Sequence, residues 1–478
     1  MPNDDDSSNK HVTQLLLPDE SHLCLPSTTG FAVSSNYLAT IPSIQAANAT
    51  LLKRAVVSYS ASSNSNSNSP SHSPSQLPVQ SHSQSHSQSH TFSKPSPALV
   101  YVHQGEVAHA LSTQDCDLLV SDKATTCHIM ALHSFDTNTK STSTSTSTNS
   151  SSTNRRMTSL THLDSTDYEK CVRQMIQKHQ WHPSPDSTTD PNFSAAASRT
   201  LQVNIVGGFD DAQHSSERIS QWLLALLVDI AQEQDRQKEC TRSRAGRKVH
   251  LQLQACVISA MNTNTWTCTC TSSSKSSKRS KMRKEPMARG LAICTRTGKV
   301  HLAHVDSMKL MGPHALLKNA RLWASLFHQE QKQDPIQTAA QTNRSRILHC
   351  IHSTDSNNIT ITPFYFQPLQ PKDFHRIMSL PDHLLLKETS SSPEVEDEHF
   401  CQRVRDTFVF MQQHDCHELF FGKDCSSDND DNHFKFHSTT TNQTYALQVP
   451  VRDGPATVEA VVRQQQHFTT KRRRTMRH

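Results

Sequence analysis

A cysteine and a histidine occupy two places in the chain where a catalytic thiol could be built. Cys127 ends the string Ser-Asp-Lys-Ala-Thr-Thr-Cys and begins an apolar segment, and His162 lies within Ser-Leu-Thr-His-Leu-Asp. The Ser/Thr tract over 136–156 between them cannot pack in a core, so we expect it to loop out. The two residues would then lie on consecutive strands of one hairpin, where an imidazole can generate a nucleophilic thiolate and shuttle its proton.

His128 is closer to Cys127 in sequence, but it is the poorer partner. Adjacent strand residues point to opposite faces, so we expect His128 to face away from Cys127. A structural interpretation of the pair stays open at this point. In it, Cys127 is a small buried apolar residue and His162 is a hydrogen-bonded histidine of the hairpin. The spacing of Cys and His alone does not separate the two interpretations.

The composition indicates less folded material than the length suggests. Only 34% of the 478 residues are apolar and the mean hydropathy is −0.62, whereas globular domains have about 45–50% apolar residues. The longest apolar run, 222–228, is too short to span a bilayer, and the acidic start of the chain does not fit a secretory signal. Thirteen irregularly spaced cysteines predict a reduced, intracellular protein, and a net charge of +5 requires no nucleic-acid partner.

Polar, aperiodic tracts divide the sequence. We predict one α+β domain with long disordered insertions, because insertions in loops cost little extra closure entropy. The predicted parts are a disordered start at 1–10, an N-terminal part of the domain at 11–57, a Ser/His/Gln-rich insertion at 58–96, a catalytic domain at 97–422 with disordered insertions at 136–156, 264–286 and 328–345, a partly ordered segment at 423–463 and a basic tail at 464–478.

Apolar periodicity predicts the elements that would position the pair. Strands are predicted over 98–103, 116–120, 127–132, 157–161, 201–206 and 249–259, with one hairpin over 290–305 about Thr297-Gly298 and another formed by 346–351 and 358–366. An apolar stripe predicts a helix over 215–233, and a further helix is predicted over 314–327. A third should begin at Ser392-Pro393, since an N-cap there precedes a proline.

Metal and nucleic-acid sites are not predicted. Many of the 30 histidines lie in Ser/Gln repeats or singly, and no Cys-x-x-Cys pair occurs, so we expect no zinc site. Basic clusters over 275–284 and 471–477 could act as nuclear-import signals or nucleic-acid contacts. The alternative is that they are solubilising charges of a loop and a tail.

Successive blocks of the chain resemble the protein N-terminal asparagine amidohydrolase family. The blocks are ALVYVHQGEV, SDKATTCHIMAL, SLTHLDSTD, VNIVGGFDD, GLAICTRTGKV, TPFYFQPLQPKDF and SSSPEVEDEHFCQRVRDTFVFMQQH, and they occur in the order of the family. They span about residues 98–421, and the ATTCH block is specific. Residues 11–57 match only loosely.

The resemblance implies a fold, an activity and a catalytic pair. The fold would be an α-β-β sandwich similar to bacterial cysteine deamidases, which use a Cys–His pair on adjacent strands. The family deamidates an exposed N-terminal asparagine to aspartate, which leads to degradation after arginylation. Its catalytic cysteine falls on Cys127, and by analogy His162 is the histidine, with no metal or organic cofactor. The gap between these two residues is longer here than in the family pattern.

The implied mechanism uses few side chains. Cys127 would attack the side-chain amide carbon of the substrate. His162 would take the thiol proton, deliver it to the departing ammonia and then activate the water that hydrolyses the thioester. Backbone N–H groups near Thr126 and Cys127, with the hydroxyl of Thr125 or Thr126, would stabilise the oxyanion.

Restriction to a chain terminus needs a carboxylate for the α-ammonium ion. Asp122 and Asp164 flank the two catalytic blocks, and the alternative role of each is to cap a turn or strand end. Packing alone distinguishes asparagine from glutamine by only about 1–3 kcal/mol, so hydrogen bonds must hold the amide. Gly207, Gly208 and Asp210 are candidates, because the glycine pair predicts a positive φ or a close backbone approach. A plain tight turn is the alternative.

Two other functions remain open from the sequence. The polar tracts and basic clusters suit a non-catalytic interaction protein that keeps the fold, and a cysteine protease or transamidase would use the same pair. For the deamidase, the expected partners are proteins or peptides with an exposed N-terminal asparagine and, indirectly, the arginylation machinery. We expect no membrane or nucleic-acid partner, and a cytoplasmic monomer with nuclear entry as an alternative.

Overall fold

The computed structural model describes most of the chain between residues 98 and 414 and shorter stretches on either side. The described residues are 15–23, 35–59, 98–136, 156–181, 199–240, 249–269, 280–306, 313–331, 346–354, 356–361, 364, 366, 368–414, 434–438 and 445–448.

Nine strands form the larger sheet. In spatial order they are β16 (Tyr445–Gln448), β15 (Phe434–Ser438), β14 (Ser356–Ile361), β13 (His349–Ser353), β3 (Glu106–Leu111), β6 (Met157–Leu163), β5 (His128–Asp136), β7 (Arg199–Gly207) and β8 (Val249–Ile258). At its centre β5 pairs antiparallel with both β6 and β7. The predicted hairpin of β5 and β6 is therefore confirmed, with His162 on β6 and Cys127 one residue before β5, as is the hairpin of β13 and β14.

Five strands form a second sheet. In spatial order they are β1 (Val57–Tyr59), β12 (Val300–Val305), β11 (Leu291–Cys294), β4 (Leu118–Ser121) and β2 (Leu99–Tyr101). The predicted hairpin about Thr297-Gly298 is confirmed by the antiparallel pairing of β11 and β12, and Gly298 has the positive φ of 70° that such a turn favours.

Helices pack on both sheets. They are α1 (Ser35–Leu38), α2 (Pro42–Leu52), α3 (Glu169–Trp181), α4 (Ser215–Cys240), α5 (Pro313–Gln331), α6 (Pro371–Ser379), α7 (Asp382–Thr389) and α8 (Phe400–Gln413). The apolar stripe predicted for α4 is buried, including Leu223 and Leu227. No helix in the described part of the chain is long and apolar enough to cross a membrane.

The two faces of the larger sheet pack into different apolar clusters. On β5, Met130 and Leu132 join a cluster with Leu223 of α4, whereas Ile129 joins a cluster with Leu119 of the five-stranded sheet. This alternation follows the two-residue period of a strand. Helices α3 and α4 therefore cover one face of the larger sheet, whereas the smaller sheet together with α5 and α8 covers the other, and the fold is α+β as predicted.

The helix predicted to begin at Ser392-Pro393 begins instead at Phe400. Pro393–Val395 form only one 3-10 turn, and the backbone is extended again at Glu396. The Asp397 carboxylate then accepts the backbone N–H of His399 at 2.9 Å, directly before α8. The prediction was wrong because a serine followed by proline starts a single turn as readily as a long helix.

The insertion predicted to be disordered at 264–286 is structured at both ends. β9 (Thr263–Thr269) and β10 (Ser280–Pro286) form a separate antiparallel ribbon, which the alternating threonines of β9 favour. Asn262 closes its base, donating from Nδ2 to Gly208 O at 2.6 Å and Ala288 O at 2.8 Å, while Oδ1 accepts the Ala288 N–H at 2.7 Å.

Other predicted tracts have mixed outcomes. α5 continues to Gln331, into the insertion predicted at 328–345. The segments 1–10, 58–96, 136–156 and 464–478 lie outside the described residues, apart from positions at their ends.

Candidate active site

Cys127 ends the loop between β4 and β5 and lies one residue before β5. In this loop Lys123 has a φ of 61°, in the left-handed region, and the Ala124 N–H donates to Arg289 O at 2.8 Å. The loop therefore turns sharply and is fixed to the segment that leads into β11. Cys127 is 9% exposed and packs in the apolar cluster shared by the two sheets.

His162 lies on β6 directly opposite Ile129 of β5. Opposite residues of an antiparallel pair share a face, so His162 points to the same side of the sheet as Ile129 and Cys127. The observed pairing ends at His128 opposite Leu163, and continuing this register by one residue makes Cys127 and His162 diagonal neighbours. Such positions are separated by about 7–8 Å, which is within reach of a histidine side chain.

Ser121 of the five-stranded sheet holds the His162 ring. Its Oγ lies 2.9 Å from Nδ1 of His162, and both side chains are buried. With Nδ1–H donating to Ser121, the other ring nitrogen carries a lone pair. Within the described residues this Nε2 is buried without a hydrogen-bond partner. It is therefore the atom that can exchange a proton with a thiol or a ligand.

Burial keeps both members of the pair neutral. It lowers the pKa of His162 to about 4, against the opposing charge of Asp164. Burial also raises the pKa of the Cys127 thiol well above its usual range, and the carboxylates of Asp164 and Glu396 raise it further, while the Thr126 hydroxyl and a nearby guanidinium lower it. The site thus holds a neutral thiol and a neutral imidazole, and a thiolate needs added positive charge or a proton acceptor.

The Gly207-Gly208 turn lies against the cysteine. Gly207 has a φ of 120°, and a Cβ there would lie 2.5 Å from the carbonyl oxygen of Cys127. Gly208 has a φ of 65°, and its Cβ would lie 2.8 Å from the His128 ring. The positive φ and the close backbone approach are both present. His128 faces the helices, as expected, with Nε2 2.7 Å from Ser220 Oγ of α4.

Asp164 is brought to the site, but both of its oxygens are occupied. Oδ1 accepts the Tyr168 hydroxyl at 2.7 Å and Arg346 Nη1 at 3.3 Å, and Oδ2 accepts Gln104 Nε2 at 2.8 Å. Its charge acts on both members of the Cys–His pair. Because Arg346 pairs with this carboxylate, Asp164 has little remaining capacity to bind an ammonium ion.

Residues 390–396, here called the strap, lie against the cysteine loop. Ser391 Oγ is 3.0 Å from Thr126 Oγ1, and Arg289 Nη1 donates to Val395 O at 2.7 Å. The Arg289 carbonyl also holds Ala124. One residue therefore joins the strap to the loop that carries the cysteine.

Glu396 ends the strap and supplies a carboxylate within electrostatic reach of Cys127. Its Oε1 accepts the Ser390 hydroxyl at 2.6 Å, and no hydrogen bond from a described residue reaches Oε2. Burial raises the pKa of Glu396, although Ser390 and nearby guanidinium groups lower it. A partly buried carboxylate with one open oxygen is suited to an incoming cation.

Asp122 and Asp210, the other candidate substrate-binding carboxylates, are held by partners of their own. Asp122 follows Ser121 and so points to the other face of its sheet, where the Tyr101 hydroxyl at 2.9 Å and the Val305 N–H at 2.7 Å donate to it. This geometry favours the capping alternative. Asp210 forms an ion pair with Lys284 of the ribbon at the surface.

Thr125 and Thr126, the candidate oxyanion-binding residues before Cys127, have different surroundings. Thr125 and Thr126 are buried, and the Thr125 N–H donates to the Lys123 carbonyl at 3.0 Å. The Thr126 hydroxyl contacts both the strap and the thiol. The role of each in stabilising an oxyanion stays a prediction.

The sequence arguments missed Ser121 and Glu396. Ser121 could have been found from the alternation of β4, which directs it to the same side as Leu119 and so toward the larger sheet. Glu396 lies between a 3-10 turn and a helix, where no periodicity predicts its direction.

The described residues show neither a disulfide nor a metal-binding cluster. The seven cysteines whose side chains are described are all free. In the same part of the chain, no group of three or more His, Cys, Asp and Glu side chains is placed to hold a metal ion.

Comparisons with known proteins identify the family of the chain. A profile of the family described as "Protein N-terminal asparagine amidohydrolase" matches residues 86–428, which is more than two thirds of the chain. A relative of that name from Homo sapiens is 25% identical over 328 residues, covering 68% of this chain and 78% of the relative. Those from Sus scrofa and Mus musculus are each 24% identical, covering 66% of this chain and 75% of the relative. The chain therefore belongs to the protein N-terminal asparagine amidohydrolase family.

Proposed function

We propose that this protein hydrolyses the side-chain amide of an N-terminal asparagine to aspartate, releasing ammonia, through a thioester on Cys127. The observation that carries the proposal is the Ser121–His162 contact, which leaves the buried Nε2 of His162 without a partner among the described residues, on the face that Cys127 shares. A nucleophile, a base and a group that orients the base are the parts required for acyl transfer. Membership of the family supports the choice of substrate.

The chemistry balances with these groups alone. As Sγ of Cys127 bonds to the amide carbon, its proton passes to Nε2 of His162. Collapse of the tetrahedral intermediate breaks the C–N bond, and the same proton leaves with ammonia. Water then loses a proton to His162 and attacks the thioester, the C–S bond breaks, and the thiol regains its proton. Backbone N–H groups at Thr126 and Cys127, with the Thr125 or Thr126 hydroxyl, stabilise the oxyanion.

The substrate supplies the positive charge that the empty site lacks. Burial and two carboxylates hold the Cys127 thiol protonated. An α-ammonium ion bound at the open Oε2 of Glu396 balances one of those carboxylates and lowers the pKa of the thiol. Binding of a chain terminus and activation of the nucleophile are then one event. The Gly207-Gly208 turn holds Cys127 for this attack, because the missing Cβ of Gly207 lets the carbonyl oxygen of Cys127 lie close to the turn.

The wider role follows from the product. An N-terminal aspartate is the substrate of arginylation in the degradation pathway of the family, and we place this protein upstream of that machinery, in the cytoplasm. The layers of helices, larger sheet and smaller sheet support the expected similarity to the α-β-β sandwich of bacterial cysteine deamidases.

The test is a deamidation assay with a matched control. The protein is incubated with an Asn-initiated peptide, and ammonia and the Asp-initiated product are measured by mass. We expect turnover by the wild type and by Cys116→Ala, which removes another buried cysteine, and none by Cys127→Ala. Hydroxylamine should trap the thioester as a hydroxamate.

Three outcomes would contradict the proposal. They are no turnover by the folded wild type, equal turnover by Cys127→Ala, and cleavage of the peptide bond in place of loss of ammonia. The last result would indicate a protease.

A further inference from the structure

Three buried charged side chains lie at the turn over 103–106, and this turn is hydrogen-bonded to the backbone of His162. Glu106 is fully buried, and its Oε2 accepts Lys318 Nζ at 2.8 Å and the His103 N–H at 2.8 Å, while Oε1 binds Arg321 Nη2. Lys318 Nζ also donates to Tyr101 O at 2.9 Å. We call Glu106, Lys318 and Arg321 the ion cluster.

Holding α5 to β3 through the ion cluster costs solvation free energy. Charges taken out of water lose solvation, and apolar residues of similar volume often stabilise a protein equally well. Here two cations share one carboxylate, and Arg321 Nη1 is buried without a hydrogen-bond partner among the described residues. Lys318 and Arg321 lie three residues apart on one face of α5, so both reach the same anion. Such an arrangement fixes geometry better than apolar packing, because its bonds have directions.

The element that it fixes is the turn over 103–106. Glu106 accepts the His103 N–H through its side chain, and Gly105 has a φ of 74°, in the left-handed region. The Gly105 N–H donates to the carbonyl oxygen of His162 at 2.9 Å. The backbone of His162 is thus hydrogen-bonded to the turn that the ion cluster holds.

Thr161 on β6 and Asp164, which directly follows β6, also contact the same turn. The Thr161 hydroxyl donates to Glu106 O at 2.9 Å, and Gln104 Nε2 donates to Asp164 Oδ2 at 2.8 Å. Three contacts, on residues 161, 162 and 164, therefore hold this end of β6 to the turn, in addition to the pairing of β6 with β3 and β5. The Ser121 contact can orient the imidazole only if the strand beneath it is in place.

We propose that Lys318 and Arg321 are positioning residues for His162, acting through Glu106 and the turn over 103–106. This inference rests on the proposed function, because it assigns the cluster to the placement of the base of that reaction. Its action is geometric. Burial and Asp164 set the pKa of His162, and the cluster does not contribute to it. His103 interacts electrostatically with both the cluster and His162, and it is held neutral because burial and Lys318 lower its pKa.

The experiment uses variants that keep the charges balanced. Lys318→Met leaves Glu106 paired with Arg321, and Arg321→Met leaves it paired with Lys318, so neither creates an unpaired buried carboxylate. We expect kcat on the Asn-initiated peptide to fall at least about tenfold with KM within about twofold, because a displaced base affects the chemical step more than binding. The NMR signal of the His162 ring should shift in both variants.

A destabilised control separates positioning from loss of stability. Asn48 is buried and bonds the backbone of Cys256 on β8, away from the turn. Asn48→Ala should lower the free energy of unfolding yet leave kcat and the His162 signal unchanged. Thr161→Val, which removes only the hydroxyl bond to Glu106, should lower kcat roughly fivefold, and Thr161→Ser should restore it.

Several results would overturn the inference. Folded Lys318→Met and Arg321→Met variants with wild-type kcat would do so. The inference would also be overturned if the cluster variants lost no more kcat than an Asn48→Ala variant with the same free energy of unfolding. If the cluster variants do not fold, an unchanged kcat in Thr161→Val decides against it. If the wild type itself fails to deamidate, the proposed function fails, while the His162 signal still reports whether the cluster positions the ring.

Discussion

Ser121 and His162 belong to different sheets, and their side chains meet at 2.9 Å between Oγ and Nδ1. Ser121 is the last residue of β4 in the smaller sheet, and His162 lies near the end of β6 in the larger one. The orientation of the candidate base therefore depends on the packing of one sheet on the other. Neither the cysteine loop nor the β5–β6 hairpin alone would set it.

Loss of the Ser121 hydroxyl should slow the reaction without unfolding the protein. In Ser121→Ala the imidazole loses the contact that fixes its tautomer, and we expect kcat to fall at least about tenfold. Steady-state kinetics on an Asn-initiated peptide check this. Ser134→Ala is the matched control, because Ser134 is equally buried on β5 but bonds the carbonyl of Met157. Equal kcat in both variants would remove Ser121 from the mechanism.

Glu396 should determine whether the protein requires a free chain terminus. Glu396→Gln keeps the shape of the side chain and removes the charge that would bind the α-ammonium ion, so kcat/KM should fall at least about tenfold. An N-acetylated peptide should be a poor substrate for the wild type, and the gap between free and acetylated peptides should narrow in the variant. Glu394→Gln, on the exposed side of the strap, is the control and should behave as wild type. An unchanged preference in Glu396→Gln would assign recognition to another group.

A side chain at Gly207 should displace the nucleophile. In Gly207→Ala the Cβ would lie 2.5 Å from the Cys127 carbonyl oxygen at a φ of 120°, so we expect a loss of about 1–3 kcal/mol in the free energy of unfolding together with most of the activity. Chemical denaturation and the peptide assay measure the two effects. Gly298→Ala should also reduce stability, because its φ is 70° in the turn between β11 and β12, but it should spare kcat. Full activity in Gly207→Ala would show that the close approach does not position Cys127.

Acid should destabilise the fold through buried histidines. Burial lowers the pKa of His109 and His128 to about 3 and that of His133 to about 4. Unfolded histidines titrate near about 6.5. Below that pH the unfolded state takes up protons that the folded state does not, so stability is lost as pH falls from 6.5 toward 4, by up to about 1.4 kcal/mol per histidine per pH unit. Urea unfolding at pH 7.5 and 5.0 measures this. Equal stability at the two values would contradict it, whereas little change is expected from these groups between pH 7.5 and 8.5.

The central hairpin was predictable, as was the face to which its side chains point, because the apolar residues of β5, β6 and β7 mark these segments as strands. The strand β3 was missed because its inward residues include polar ones. Glu106 and His109 are buried there, bonded to Lys318 and to Ser159 of β6. A strand whose polar residues are satisfied inside the protein does not show the alternation on which the prediction relies.

The site was predictable only where its parts lie close together in the chain. The proximity of Cys127 and His162 depends on a single hairpin, and the strand pattern predicts that hairpin. Ser121 needed the packing of a second sheet, and Glu396 needed the path of the strap across the cysteine loop. Contacts of this kind depend on tertiary packing, on which local propensity carries no information.

Asn262 prevents the length of the β9–β10 ribbon from affecting the geometry of the candidate site. With its three hydrogen bonds to Gly208 and Ala288, this one side chain ties the start of the excursion to its end, so the backbone returns to the same place however far it travels in between. Lengthening such a loop costs little entropy. The position is therefore a permissive insertion point beside the candidate active centre, where sequence can be gained or lost over evolution, or a tag introduced in the laboratory, while the Gly207-Gly208 turn stays in place.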